Sequence, residues 1–63
     1  MSNVVVLTGA ATGLGRATAL KLATAGYRLV LVDYNEVDGE KTTAEAQALG
    51  AEAIFVKADV SNE

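Results

Sequence analysis

Three glycines, Gly9, Gly13 and Gly15, lie within the stretch Thr8-Gly9-Ala10-Ala11-Thr12-Gly13-Leu14-Gly15. Residues of this kind do chemistry through the backbone. They can turn the chain into a helix and leave its first N–H groups free, where the helix dipole adds partial positive charge. A phosphate or diphosphate suits such a place. A side chain at the glycines would hold that ligand off the backbone or force a strained φ. The spacing is G-x-x-x-G-x-G, and an ordinary strand-to-helix turn is the plain alternative. The apolar run Val4-Val5-Val6-Leu7 before the loop and the helical pattern after it favour the anion site.

Two acids fall where a nucleotide would need them. Asp33 comes eighteen residues after Gly15, at the end of a second apolar run. A carboxylate there can accept from the ribose hydroxyls of an adenosine and repel a 2′-phosphate. Taken alone, it could equally be a solvated or capping acid. Thr12, Tyr34 and Asn35 bring no positive charge beside it, so charge favours NAD over NADP. Asp59 and Val60 follow the third apolar run. There Asp59 can accept from an adenine amino group while Val60 packs on the base, or Asp59 can cap the next helix; spacing does not choose between them. Thr8 reads as structural, its hydroxyl tying the loop to nearby backbone.

The elements that position these residues alternate. Asn3 to Thr8 reads as a strand and Gly13 to Ala25 as a helix ended by Gly26. In that helix Leu14, Ala17, Leu20 and Lys21 make one row, and Ala19, Leu22 and Ala23 a second. Arg28 to Asp33 reads as the next strand. Asn35 is a good N-cap with Asp38 three residues on, and Glu36, Asp38 and Glu40 put negative charge in the first turn. The second helix runs to about Leu49 and is ended by Gly50. Val37, Lys41, Ala44 and Ala48 share one face, the lysine reaching outward. Ala53 to Ala58 is the third strand.

The strands are apolar on consecutive residues, which suits a parallel sheet covered on both sides. With strand order 3-2-1, right-handed crossovers place both helices on one face. The other face and the outer edge of the first strand then have nothing among the 63 residues to cover them. The expectation is one α/β unit, residues 1–63, forming the first part of a larger doubly wound domain.

Composition limits the alternatives. The chain is 51% hydrophobic, which is not a disordered composition. Eight acids face five bases, and Arg16, Lys21, Arg28, Lys41 and Lys57 are scattered, which argues against nucleic acid as a partner. The absence of cysteine and histidine removes disulfides and the common zinc sites, and the expected metal set is none. No segment has the length or flanks of a membrane span or signal peptide, so a cytoplasmic setting is expected.

The eight-residue loop resembles the TGxxxG[IL]G motif of the short-chain dehydrogenases/reductases, and Asp33 and Asp59-Val60 match two further family positions. The resemblance spans the whole chain. It implies a Rossmann-type fold, a nicotinamide dinucleotide and hydride transfer between the cofactor and an alcohol or carbonyl substrate. By resemblance, Gly9, Thr12, Gly13, Leu14 and Gly15 lie along the diphosphate and nicotinamide side. Asp33, with Tyr34 beside it, holds the adenosine ribose, and Asp59 and Val60 hold the adenine. Members that prefer NADP carry a basic residue at the positions of Thr12 or Tyr34, so the family rule also favours NAD. Members run to about 250 residues, often as tetramers or dimers, and catalyse through a Tyr-x-x-x-Lys pair. Here Leu31 follows Tyr27 by four and Asp38 follows Tyr34 by four, so no catalytic residue is assigned. The reading is therefore the NAD(H)-binding segment of such an oxidoreductase. The alternatives are a non-catalytic dinucleotide-binding module and a fragment of an S-adenosylmethionine-dependent methyltransferase, whose glycines normally lie closer together. A P-loop is disfavoured because no Gly-Lys-Ser/Thr follows.

Overall fold

The computed structural model describes residues 3–58. Five elements alternate: β1 (Val4–Thr8), α1 (Gly13–Thr24), β2 (Arg28–Asp33), α2 (Glu36–Ala48) and β3 (Ala53–Lys57). The strands form one parallel sheet in the order β1-β2-β3. The register pairs Val4 with Arg28 and Thr8 with Val32, then Leu29 with Ala53 and Asp33 with Lys57. Parallel neighbours need a long crossover, and each helix supplies one.

Both helices stop in the same way. Gly26 (φ 96°) and Gly50 (φ 95°) take the left-handed conformation that ends a helix. Tyr27 N–H then reaches back to Leu22 C=O at 3.1 Å, and Ala51 N–H to Ala46 C=O at 3.2 Å. These are paired Schellman closures, and they satisfy carbonyls the helix ends would leave open.

The core lies between the helices and one sheet face. Leu29 and Leu31 of β2 are its largest buried side chains, closed over by Ala19 and Ala23 of α1 and Ala46 of α2. Val5, Leu7 and Phe55 pack at its margin. The opposite sheet face is bare, with Val4, Val6, Ile54 and Val56 all exposed. Both helices therefore sit on one side, as the expected strand order requires.

The face of α1 that meets the core is the row Ala19, Leu22 and Ala23, joined by Leu20 of the other row, whereas Leu14 and Ala17 are exposed. The row Val37, Lys41, Ala44 and Ala48 of α2 does not meet the sheet. All four point to solvent, and the buried positions are Gly39, Thr42, Thr43 and Ala46. The reason is close approach. A Cβ on Gly39 would overlap the edge of the Phe55 ring, coming within 2.8 Å of Cδ1 and nearer still to Cε1. The two threonines turn their hydroxyls onto helix carbonyls, Thr43 onto Gly39 C=O at 2.9 Å and Thr42 onto Asp38 C=O at 3.2 Å, so they can be buried.

The contact gives a test. Alanine at position 39 gains up to about 1 kcal/mol in helix propensity and costs about 1–3 kcal/mol in overpacking. We expect Gly39→Ala to be destabilising by about 1 kcal/mol, the difference between those terms. In a Phe55→Leu background the ring is gone, and the same substitution should become neutral or stabilising. Urea midpoints of the four variants in this cycle measure it; an identical cost in both backgrounds would contradict the contact.

Candidate functional site

The glycine-rich loop leaves β1 through Gly9 (φ 66°) and enters α1 through Gly13 (φ 58°). L-residues with a Cβ adopt these angles only with strain. Gly15 is needed for another reason. Its backbone lies against the loop, so that a Cβ there would overlap the Gly9 carbonyl oxygen and come within 3.0 Å of Ala10 Cα. The first turn of α1 is thus pressed directly onto the end of β1.

The two helix N-termini differ. Asn35 caps α2: its Oδ1 accepts from Asp38 N–H at 3.1 Å, and its Nδ2 donates to Asp38 Oδ2 at 3.0 Å. Glu36 and Asp38 add negative charge to that first turn. Thr12 occupies the N-cap position of α1 in extended conformation but makes no side-chain capping bond, and the first turn holds no acid. The opening amides of α1 are left for something else.

Asp33 stands beside them. Its Oδ2 accepts from Ala11 N–H at 3.1 Å and its Oδ1 from Asn35 N–H at 2.9 Å. One carboxylate therefore ties the β1–α1 loop to the β2–α2 loop. It also takes the amide that the acid of a capping box would otherwise reach. Thr8, Gly9, Val32, Asp33, Tyr34 and Ala58 line a hollow of about 160 Å³ at the carboxyl ends of the strands. That end of an open parallel sheet is where ligands bind. Tyr34 is 71% exposed at its rim, and Leu14 is 86% exposed above the loop.

The structure thus brings together Gly9, Thr12, Gly13, Leu14, Gly15, Asp33 and Tyr34 around one end of the sheet. Asp59 and Val60 lie outside the described residues. Thr8 is exposed at the end of β1, and among the described residues no hydrogen bond joins its hydroxyl to the loop, so the tying role expected for it is not seen.

A larger groove of about 330 Å³ runs from Thr12, Gly13 and Arg16 to Asp38, Lys41 and Thr42. Sequence reading missed it, because it needs α1 and α2 side by side. Arg16 forms a two-pronged bridge to Glu45, Nε to Oε1 at 2.8 Å and Nη2 to Oε2 at 2.7 Å. The bond to Arg16 lowers the Glu45 carboxyl below its usual range, and the same bond raises the guanidinium. What the pair gives the fold is present at neutral pH and fades as acid protonates Glu45. Both side chains are about half exposed, so solvent screens the pair. The groove's two cations, Arg16 and Lys41, are matched by Asp38 and Glu45. No group of three metal-ligating side chains occurs among the described residues, and none of their helices is long and apolar enough to cross a membrane.

Residues 3–63 match the sequence profile of the short chain dehydrogenase family. The chain belongs to that family. It is 44% identical over 60 residues to the short chain dehydrogenase/reductase astE of Aspergillus oryzae, an alignment covering 94% of this chain and 23% of that protein. A short chain dehydrogenase/reductase from Burkholderia phymatum, solved in complex with NAD, superposes with a TM-score of 0.89 at 48% identity, over 97% of this chain and 22% of that one. A metagenomic short-chain oxidoreductase, solved in complex with NADP, superposes with a TM-score of 0.88 at 37% identity, over 95% of this chain and 27% of that one. The chain therefore spans about a quarter of the length of such relatives.

Proposed function

We propose that residues 1–63 are the N-terminal, cofactor-binding part of a single Rossmann domain in an NAD-dependent oxidoreductase that interconverts an alcohol and a carbonyl. The observation that carries this is the uncapped start of α1, opened by Gly9 and Gly13 and flanked by the Asp33 carboxylate. The residues fit a dinucleotide. Free amides at a helix start suit a diphosphate, and Asp33 lines the hollow where an adenosine ribose would lie.

The proposed roles rest on position along the loop and on family likeness. Gly9, Thr12, Gly13, Leu14 and Gly15 border the diphosphate, and Asp33 accepts from the ribose hydroxyls. Tyr34 flanks the adenosine; Asp59 and Val60 take the adenine by family likeness. When bound, the nicotinamide ring supplies the hydride chemistry.

NAD is preferred over NADP because a 2′-phosphate would meet Asp33. The adjoining groove offers it no net positive charge, Arg16 and Lys41 being offset by Asp38 and Glu45. The relative in complex with NADP keeps that cofactor as the second reading. We assign no catalytic residue and no metal to this chain. The substrate is a small alcohol or carbonyl compound, the enzyme a cytoplasmic homo-oligomer, dimer or tetramer, without nucleic-acid or membrane partners.

Separate titrations of the full-length gene product with NADH, NADPH and S-adenosylmethionine test the reading. Saturable binding of NADH, tighter than NADPH, is the expected result. Saturation by S-adenosylmethionine alone would overturn it.

A further inference from the structure

Ala11 is held at both of its polar groups by elements other than its own loop. Its N–H donates to Asp33 of β2 at 3.1 Å, and its C=O lies 3.3 Å from the Thr42 hydroxyl of α2. Ala11 is 3% exposed and Thr42 0%. A threonine inside a helix can direct its hydroxyl to the carbonyl four residues back, and Asp38 C=O lies within reach at 3.2 Å. The hydroxyl has one proton for two acceptors. The Asp38 carbonyl lies inside α2, where the helical ladder supplies an amide. Among the described residues no backbone amide reaches the Ala11 carbonyl, so Ala11 is the acceptor that gains more from the bond.

We propose that Thr42 is a positioning residue for the anion loop, acting through the Ala11 carbonyl and touching no ligand itself. The peptide bond is planar and trans, so its C=O and the following N–H point in opposite directions. With Ala11 C=O drawn toward α2, Thr12 N–H is turned away from α2. Asp33 fixes the other side of the same residue. The two bonds set the plane in which the chain enters Gly13, before any nucleotide arrives. Pre-set donors lose less freedom on binding than donors that must be ordered first. The importance of this shape for affinity rests on the dinucleotide reading above; the effect on the loop itself does not.

The test compares Thr42→Val, which keeps the branched shape and removes the hydroxyl, with Thr42→Ser, which keeps the hydroxyl. Thr42→Ala serves as a second hydroxyl-free variant should valine disturb folding. Amide hydrogen exchange in the full-length gene product is read at Ala10 and Ala11, the buried loop amides bonded to Val32 C=O and to Asp33. Dissociation constants are read for NADH and for adenosine, which lacks the diphosphate. We expect the hydroxyl-free variants to exchange at these amides about fivefold faster or more, with the β2 amides unchanged. We expect NADH to bind about tenfold more weakly, adenosine within about twofold of wild type, and Thr42→Ser to restore both readouts. Unchanged loop exchange in a folded hydroxyl-free variant overturns the proposal. So does faster exchange spread evenly over the whole chain, or equal losses for NADH and adenosine, since either marks a general packing role. If the wild type does not bind NADH, the dinucleotide reading falls, and the exchange comparison still decides the role of Thr42.

Discussion

Asp33→Ala is expected to cut the NAD-to-NADP ratio of kcat/KM in the proposed enzyme by about 10- to 100-fold, the worth of roughly 1.5–3 kcal/mol of hydrogen bonding to a charged group. Two effects act together. The ribose hydroxyls lose their acceptors, and a 2′-phosphate loses the like charge that excludes it. The geometry adds a second consequence. The same carboxylate anchors Ala11 N–H and Asn35 N–H, so both cofactors should bind more weakly even as the ratio moves. Asp33→Arg should move the ratio further while leaving absolute efficiency low, because a guanidinium cannot accept from either amide. Steady-state kinetics with the two cofactors measures this; a constant ratio in Asp33→Ala would refute it.

Gly15→Ala is expected to be more damaging than its chemistry suggests. The new methyl would overlap the Gly9 carbonyl oxygen, and the obstacle is backbone. A flexible side chain could swing aside, as the Phe55 ring can in part for Gly39. Here α1 must lift off β1. Overpacking of this kind costs about 3 kcal/mol at the upper end of its usual range, less up to about 1 kcal/mol regained in helix propensity. A net loss of about 2 kcal/mol follows from those terms, together with loss of dinucleotide affinity, since the displaced turn carries the free amides. Gly13→Ala is the control. Its Cβ would meet no atom within 4 Å, but its φ of 58° is left-handed, so strain without overlap is expected there. Urea midpoints and NADH titrations of both variants check the pair. A Gly15→Ala protein with wild-type stability and affinity would contradict the packing described.

Much of this architecture was legible in the residues. Three apolar runs separated by two helical patterns define β1, α1, β2, α2 and β3 to within a residue or so at each end. Gly26 and Gly50 end the helices where their type suggests, and the one-sided helix layer follows from strand order alone. The inner face of α2 was not legible, for a physical reason. A search for apolar residues at helical spacing selects Val37, Ala44 and Ala48, whereas the sheet needs small residues and self-satisfied hydroxyls where Phe55 and the loop press close. Gly39, Thr42 and Thr43 look polar or neutral until the elements around them are in place. The Arg16–Glu45 bridge and the groove beside it join residues 29 apart, a relation no local pattern contains. Asp33 was legible as an acid at a strand end. Its grip on two backbone amides became visible only with both loops folded.

The carboxylate's place in β2 also governs how the gene can drift. Side chains alternate along a strand, so Leu29, Leu31 and Asp33 share the face that meets the helices. Hydrophobic filling and the acid are thereby written in one odd-numbered phase. Adding or removing a single codon inside β2 would invert that phase, sending the acid toward the bare side and the leucines out of the interior. The bends at Gly26 and Gly50 carry no such parity. Length changes should therefore accumulate at those two corners, while the six codons of β2 stay fixed in number.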